Sequence, residues 1–307
     1  MTMTMRQESV RAGSRTSRLA RWQTERVLSL LRNAWPTLET DFVPFETRGD
    51  RILETPLPEI GGKGLFTAEL EEAIRAGTID IAVHSLKDLP TASAEGIVVA
   101  AVLDRQDSRD ALVSPGGQTL AELPAGSVVG TSSTRRAAQL LRARPDLTIR
   151  SIRGNVPTRV QKVRDGHYDA AVLAAAGLKR LGLAEAITEY LDFGIMLPAP
   201  GQGAIAVQCR AGDASVAVLL AAIDEPDARS TTTAERAFLS RLQAGCSSPV
   251  GARAWLSGGH VHLEGVVLSL DGADIIRVQG SRPDPEELGR ILAEDALALG
   301  AEGLIGA

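Results

Sequence analysis

Aromatic residues make up only 3% of this 307-residue chain. Its cores must therefore be built from Ala, Val, Leu and Ile, and an apolar content of 44% supplies them. Lysine is nearly absent. Lys63, Lys87, Lys162 and Lys179 are the four, and arginine carries the rest of the positive charge. Cysteine occurs twice, at Cys209 and Cys246, which excludes a disulfide scaffold. No apolar run approaches the ~20 residues needed to cross a bilayer, and Met1 to Glu8 lack the apolar segment of a secretory signal. A cytoplasmic protein with reduced thiols and no membrane partner is expected. Zinc-ligand spacing, a nucleophile elbow and a dinucleotide fingerprint are missing too, so no metal is expected. A net charge of −5 argues against a general nucleic-acid binder.

The most informative stretch is Ile81-Ala82-Val83-His84-Ser85-Leu86-Lys87-Asp88-Leu89-Pro90. Ile79 to Val83 has the composition of a buried strand, apolar apart from Asp80. An imidazole, a hydroxyl, an ammonium and a carboxylate follow, closed off by a proline. Polar groups at the end of a buried strand are costly unless paired or used, and open α/β sheets place their ligands at the carboxyl ends of strands. Asp88 is the candidate catalytic carboxylate. The competing reading makes it a cap on the next turn.

The rest of the chain alternates strand and helix. Val10 to Gly13 reads as a strand end and Arg18 to Asn33 as a helix with Ser17 as N-cap, which sets Arg15 and Ser17 beside free backbone N–H groups. Asp41 to Thr47 is a strand leading to Arg48-Gly49-Asp50. Gly61-Gly62-Lys63-Gly64 is a glycine-rich loop without the Walker spacing, and a helix is expected over Leu65 to Arg75. Ile97 to Leu103 is a further strand, and Asp104 to Ser108 a polar crossing between domains.

A second series then begins: strand Ser127 to Gly130, polar turn Thr131-Ser132-Ser133-Thr134, and a helix opening on Arg135 and Arg136. Hydroxyls, helix dipole and two arginines converge there as an anion site. Strand Thr148 to Ile152 ends in Arg153-Gly154-Asn155, a short helix carries Arg159, and strand Tyr168 to Ala174 leads to Gly177-Leu178-Lys179-Arg180. Residues 135–164 hold eight arginines and one lysine against a single acid, Asp146. Bidentate recognition of carboxylates would explain arginines at strand-to-helix junctions. Met196 to Gly203 is a Pro/Gly-rich return, Ala204 to Gln208 a strand with Cys209 on its core face, and Thr231 to Leu242 a helix. Cys246 lies in a Gly/Pro-flanked loop. A strand at Val261 to Val267 and a helix at Pro285 to Leu299 suit a small α+β domain. His260 and His262 read as surface residues.

Motif by motif, the chain resembles the porphobilinogen deaminase (hydroxymethylbilane synthase) family. The matching segments are Ser14-Arg15-Thr16-Ser17, Thr47-Arg48-Gly49-Asp50, Gly61 to Phe66, His84 to Pro90, Gly130 to Arg136, Arg153-Gly154-Asn155-Val156, Gly177 to Leu183, Pro200-Gly201-Gln202-Gly203 and Gly245-Cys246-Ser247-Ser248-Pro249. Glu59 stands where many members carry a basic residue, and Thr134 where an apolar one is common.

The resemblance implies an α/β fold: two periplasmic-binding-protein-like α/β domains around a cleft plus a small C-terminal α+β domain. The expected division is 1–103 with 204–225, then 104–203, then 226–307. It implies a transferase that joins four porphobilinogens head to tail with loss of ammonia, on a dipyrromethane cofactor held by a thioether to Cys246. Asp88 is the implied catalytic group. The implied cofactor- and substrate-binding set is Arg15, Ser17, Lys63, Phe66, Ser85, Lys87, Thr131, Ser132, Arg135, Arg136, Arg153, Gly154, Arg159, Arg180 and Gln202. A monomer acting on a small molecule, with no nucleic-acid partner, completes the expectation. A non-catalytic two-lobed receptor for a small organic polyanion is the rival, and a nucleic-acid binder resting on the arginine block stands third. The acidic total, and the lack of aromatics to stack bases in that block, argue against the latter.

Overall fold

A computed structural model describes residues 8–47, 67–244 and 248–305. They divide into two compact units, one of residues up to 105 with 204–229, the other of 106–203 with residues from 230 onward.

The first unit is a five-stranded sheet between helices. Its strands are β1 (Ser9–Arg15), β2 (Glu39–Phe45), β3 (Ile81–Ser85), β4 (Ile97–Val102) and, after the long excursion of the chain, β10 (Ile205–Arg210). The order is β2-β1-β3-β10-β4, with β1 parallel to β2 and β3, and β10 antiparallel to both β3 and β4. Strand side chains alternate between two cores. Ile81 and Val83 pack with Val27, Leu28 and Leu31 of helix α1 (Arg18–Ala34), while Ala82 packs with Leu70 and Ile74 of helix α2 (Ala68–Arg75). Cys209 shares the first core with Ile205 and Val207, as its strand periodicity implied.

The second unit repeats this plan. Strands β5 (Asp110–Val113), β6 (Val128–Gly130), β7 (Thr148–Arg150), β8 (Ala170–Ala174) and β9 (Glu189–Tyr190) are ordered β7-β6-β8-β5-β9. Here β5 is the inserted antiparallel strand. Helices α3 (Thr134–Ala143), α4 (Val156–Arg164) and α5 (Ala175–Arg180) flank the sheet. Leu140 closes one face, and Val160, Val163 and Leu178 the other. The two repeats are the expected pair of α/β domains.

The same unit holds a third sheet, the antiparallel meander β11 (Val250–Ser257), β12 (His260–Leu268) and β13 (Ile275–Arg282). Helix α6 (Ala214–Ala221) belongs to the first unit. Helices α7 (Pro226–Arg241), α8 (Pro285–Ala298) and α9 (Ala301–Ile305) follow, and residues of all three join the meander in one core around Phe238. In a chain poor in aromatics this ring needs room: a Cβ at Gly265 would lie 2.5 Å from it.

Three differences from the sequence expectations bear on function. Strand β3 runs to Ser85, so His84 lies inside the sheet rather than beyond it. Strand β5, whose first residue is Asp110, was not read as a strand at all. Neither β11 nor β13 was anticipated.

Candidate active site

In the first unit, chain direction and capping build a polar cavity. Strand β1 ends at Arg15, and the Ser17 hydroxyl caps α1 by accepting from Ala20 N at 3.2 Å. The positive end of the helix dipole is thus held next to a half-buried guanidinium. Strand β3, alongside β1, delivers His84 and Ser85 to the same end of the sheet, and a single turn of 3₁₀ helix, Leu86–Asp88, carries Lys87 and Asp88 beyond it. Arg15, Ser17, Gln23, His84, Ser85 and Asp88 are among the residues that line the cavity. Gln23, buried on α1, donates from Nε2 to Ser85 Oγ at 2.8 Å and fixes that hydroxyl. Gln23 was not expected here; its place within the first two turns of α1, the helix that Ser17 caps, was the available signal. Asp88 is exposed. Among the described residues its carboxylate has no hydrogen bond or ion pair, so the capping alternative fails.

The second unit treats its polar residues differently. Ser133 caps α3, accepting from Arg136 N at 3.5 Å, and Thr131 Oγ1 accepts from Ser133 N at 3.2 Å. Ser132 Oγ donates to Ile152 O and pairs with Ser151 Oγ, both at 2.8 Å. Arg135 and Arg136 point inward. Arg135 Nη1 donates to Asp110 Oδ2 at 2.8 Å, and Arg136 Nε and Nη2 donate to Asp110 Oδ1 at 3.0 and 2.7 Å. Gln202, fully buried, donates to the same Oδ1 at 2.9 Å and to Ser108 O at 2.8 Å. Burial opposes ionisation of Asp110, but Arg135 and Arg136 overcome it and hold the carboxyl below the usual carboxylate range. The expected bidentate partner of these arginines is therefore a carboxylate of the chain itself. Arg180 is also buried, donating to Gln106 Oε1 at 3.0 Å and Gly203 O at 2.6 Å. Sequence reasoning placed Arg135, Arg136, Arg180 and Gln202 on a ligand; the structure uses them to fasten the segments 106–110 and 197–203 together.

Arg153 and Arg159 differ from that group, since both remain half-buried at the junction of β7 and α4. Arg159 Nε donates to Gly154 O at 2.7 Å. Gly154 has a φ of +112°, and a Cβ there would approach the Thr158 side chain to 2.8 Å. The turn that presents both arginines thus requires glycine.

Two family profiles match the chain. One, described as "Porphobilinogen deaminase, dipyromethane cofactor binding domain", covers residues 10–218, and another, "Porphobilinogen deaminase, C-terminal domain", covers 230–298. The chain belongs to the porphobilinogen deaminase family. It is 52% identical over 298 residues to the porphobilinogen deaminase of Roseiflexus castenholzii, covering 97% of this chain and 98% of the relative. It is 51% identical to that of Moorella thermoacetica, with 95% and 94% covered, and 46% identical to that of Syntrophotalea carbinolica, with 99% and 97% covered.

Against the porphobilinogen deaminase motifs, the structure brings Arg15, Ser17, Ser85 and Asp88 together around one cavity, with Lys87 next to Asp88 on the same turn. Thr131, Ser132, Arg153, Gly154 and Arg159 lie in the second unit. Lys63, Phe66 and Cys246 lie outside the described residues. His262 stacks on Trp255, ring centroids 5.3 Å apart, and no group able to hold a metal ion occurs among the described residues. Nor, among them, is any helix long and apolar enough to cross a membrane.

Proposed function

We infer that this chain condenses four porphobilinogen molecules head to tail, releasing ammonia at each addition and finally the linear tetrapyrrole hydroxymethylbilane for porphyrin and haem synthesis. The observation that carries the reading is Asp88, an exposed carboxylate without a partner among the described residues, on a polar cavity shared with Arg15, Ser17 and Ser85. Each porphobilinogen brings an acetate and a propionate, so substrate and product chain are polyanions. The Arg15 guanidinium and the positive end of α1 meet that charge from one side. Arg153 and Arg159 supply the same chemistry in the second unit. Asp88 has the complementary task. Loss of ammonia from the aminomethyl group leaves a cationic azafulvene, which a fixed carboxylate stabilises electrostatically while accepting a pyrrole proton as the next bond forms.

The residues present also fit a dipyrromethane group, which carries several carboxylates for guanidinium and hydroxyl donors and pyrrole N–H groups for an open carboxylate. When bound, it supplies the pyrrole terminus to which units are added. We assign its thioether attachment to Cys246. Cys209 is unsuited, because it is 1% exposed in strand β10 and burial, with Asp213 nearby, raises the pKa of its thiol. The chain has no other cysteine. A cytoplasmic monomer acting on free porphobilinogen follows from the same reading.

The deciding experiment is the intact mass of the purified, denatured protein. An excess of two linked pyrrole units, lost in Cys246→Ser, is expected. An unmodified mass, with neither adduct nor ammonia after incubation with porphobilinogen, would overturn the assignment.

A further inference from the structure

Of the 33 lysines and arginines in the chain only four are lysine. Lys162 is one of them, and the porphobilinogen reading leaves it unused. It lies half-buried on α4, and among the described residues it has no ion pair. Its Nζ turns back along the helix and donates to Arg153 O, nine residues earlier, at 3.1 Å. The Cα–Cβ bonds of a helix tilt toward its N-terminus, which directs the side chain that way.

That bond completes a set. The turn Arg153-Gly154-Asn155 has three carbonyls, and α4 holds all of them. Arg153 O accepts from Lys162 Nζ, Gly154 O from Arg159 Nε at 2.7 Å, and Asn155 O from Arg159 N at 3.0 Å. The Asn155 side chain caps the helix, accepting from Thr158 N at 3.0 Å. The helix itself is anchored: Val156, Val160 and Val163, at i, i+4 and i+7, pack with Ala171 and Leu173 of β8.

The three bonds are not equivalent. Gly154, at a φ of +112°, has no Cβ to restrict the peptide plane that precedes it. The orientation of that plane depends on what holds its carbonyl, and Lys162 does so. The plane sets ψ of Arg153, and backbone conformation selects the rotamers a side chain can use.

Building on the porphobilinogen reading, we propose that Lys162 is a positioning residue for Arg153. By pinning the Arg153–Gly154 peptide plane to α4 it limits the arginine to one backbone conformation and holds the guanidinium ready for a substrate carboxylate. Freedom removed beforehand does not have to be lost on binding. An ammonium suits the task. It is a compact donor on a flexible stem, without the planar fork that would compete with Arg153 for the carboxylate.

Lys162→Met keeps the stem and removes the donor. In the holoenzyme KM for porphobilinogen should rise about three- to tenfold, the worth of roughly one hydrogen bond. The rise should not exceed that of Arg153→Ala, and kcat should stay near wild type. The decisive comparison is the pair. With Arg153 already replaced by alanine, Lys162→Met should change KM by less than about twofold, because nothing is left to position. An unchanged KM in Lys162→Met, or effects that multiply in the double variant, would overturn the proposal. Deuterium uptake without substrate tests the restraint itself. Peptides spanning 153–156 should exchange faster in Lys162→Met while those of β8 keep their protection; unmoved exchange at the turn rejects the proposal whatever the kinetics. Should the methionine variant not fold, Lys162→Gln, whose amide stops short of the carbonyl, takes its place in both measurements. A wild type without turnover, or Arg153→Ala with an unchanged KM, removes the carboxylate site and this proposal with it. An Arg153 effect without a Lys162 effect removes this proposal alone.

Discussion

The two α/β sheets have the same strand order, and they place polar residues at equivalent points with opposite results. In the first sheet Ser85, the last residue of β3, is in register with Ile205 of the inserted strand; in the second, Ala174 of β8 is in register with Asp110. Each first helix starts from a serine N-cap, Ser17 in one and Ser133 in the other. In the second unit the carboxylate sits on the inserted strand, where two arginines and an amide close it off. In the first, it lies past the strand end on a 3₁₀ turn and stays open to the cavity. Satisfied polar groups specify a fold, whereas a group the fold leaves open is available to a ligand.

The sharpest way to break this comparison is to unbalance the closed cluster. Asp110→Asn leaves two buried guanidiniums without their counter-charge and should destabilise the second unit by about 3–5 kcal/mol, read as a lower denaturant midpoint. Replacing the whole group together, Asp110→Leu with Arg135→Met and Arg136→Leu, should recover most of that loss, because an apolar set of similar volume does not have to desolvate ions. If the single variant keeps wild-type stability, the cluster is not structural.

The open carboxylate should give the mirror image. Asp88→Asn breaks no hydrogen bond among the described residues, so the melting temperature should hold while turnover falls at least ~10²-fold, the low end for general acid–base catalysis. The covalent adduct should persist in that variant. Near-normal kinetics would return Asp88 to the role of a turn residue.

Acid should separate the two units by the same logic. The buried His84 has its folded pKa depressed from 6.5 to about 4. Its contribution to stability is therefore present above pH 6.5 and lost as pH falls towards 4, because the unfolded imidazole binds a proton that the folded one refuses. Asp107, bonded to Arg109 and Lys179, is instead held down at about 2. Its contribution is present above the ordinary carboxylate range and lost only as pH falls through about 2. Between pH 6.5 and 4 the first unit should soften ahead of the second, and His84→Gln should flatten that decline. Peptide-resolved hydrogen exchange, corrected for intrinsic rates, distinguishes the units; parallel softening with an unchanged slope in His84→Gln would sink the argument.

Much of this contrast was visible in the chain before folding. Ser17 announced the start of α1, alternating apolar residues announced the strands, and the polar run after Val83 pointed to Asp88. The closed cluster was not legible, for a physical reason. Asp110 opens a four-residue strand, and the arginines that make its burial possible come 25 and 26 residues later. Arg135 beside a serine N-cap has the sequence signature of an anion site whether the anion is a ligand or the chain's own carboxylate. The same ambiguity hid His84: extending β3 by two residues turned a strand-end imidazole into a buried one.

The smallest expected effect tests whether the second unit also has an open side. Arg153 and Arg159 stand apart from the Asp110 cluster at the mouth of β7, half-buried, on a turn that Gly154 makes possible. The Arg153 carbonyl accepts from Lys162 Nζ at 3.1 Å, so the backbone of that turn is held from α4 whatever side chain occupies position 153. Arg153→Ala should therefore cost about 1 kcal/mol of stability at most, the centre of measured point-substitution effects. A guanidinium that meets a substrate carboxylate contributes about 1.5–3 kcal/mol as a charge-assisted hydrogen bond, and partial exposure lowers this, so KM for porphobilinogen should rise roughly tenfold with a small change in kcat. An unchanged KM would make Arg153 a solvated charge and leave anion recognition to the first unit, where Arg15 and the N-terminus of α1 already face the cavity of Asp88.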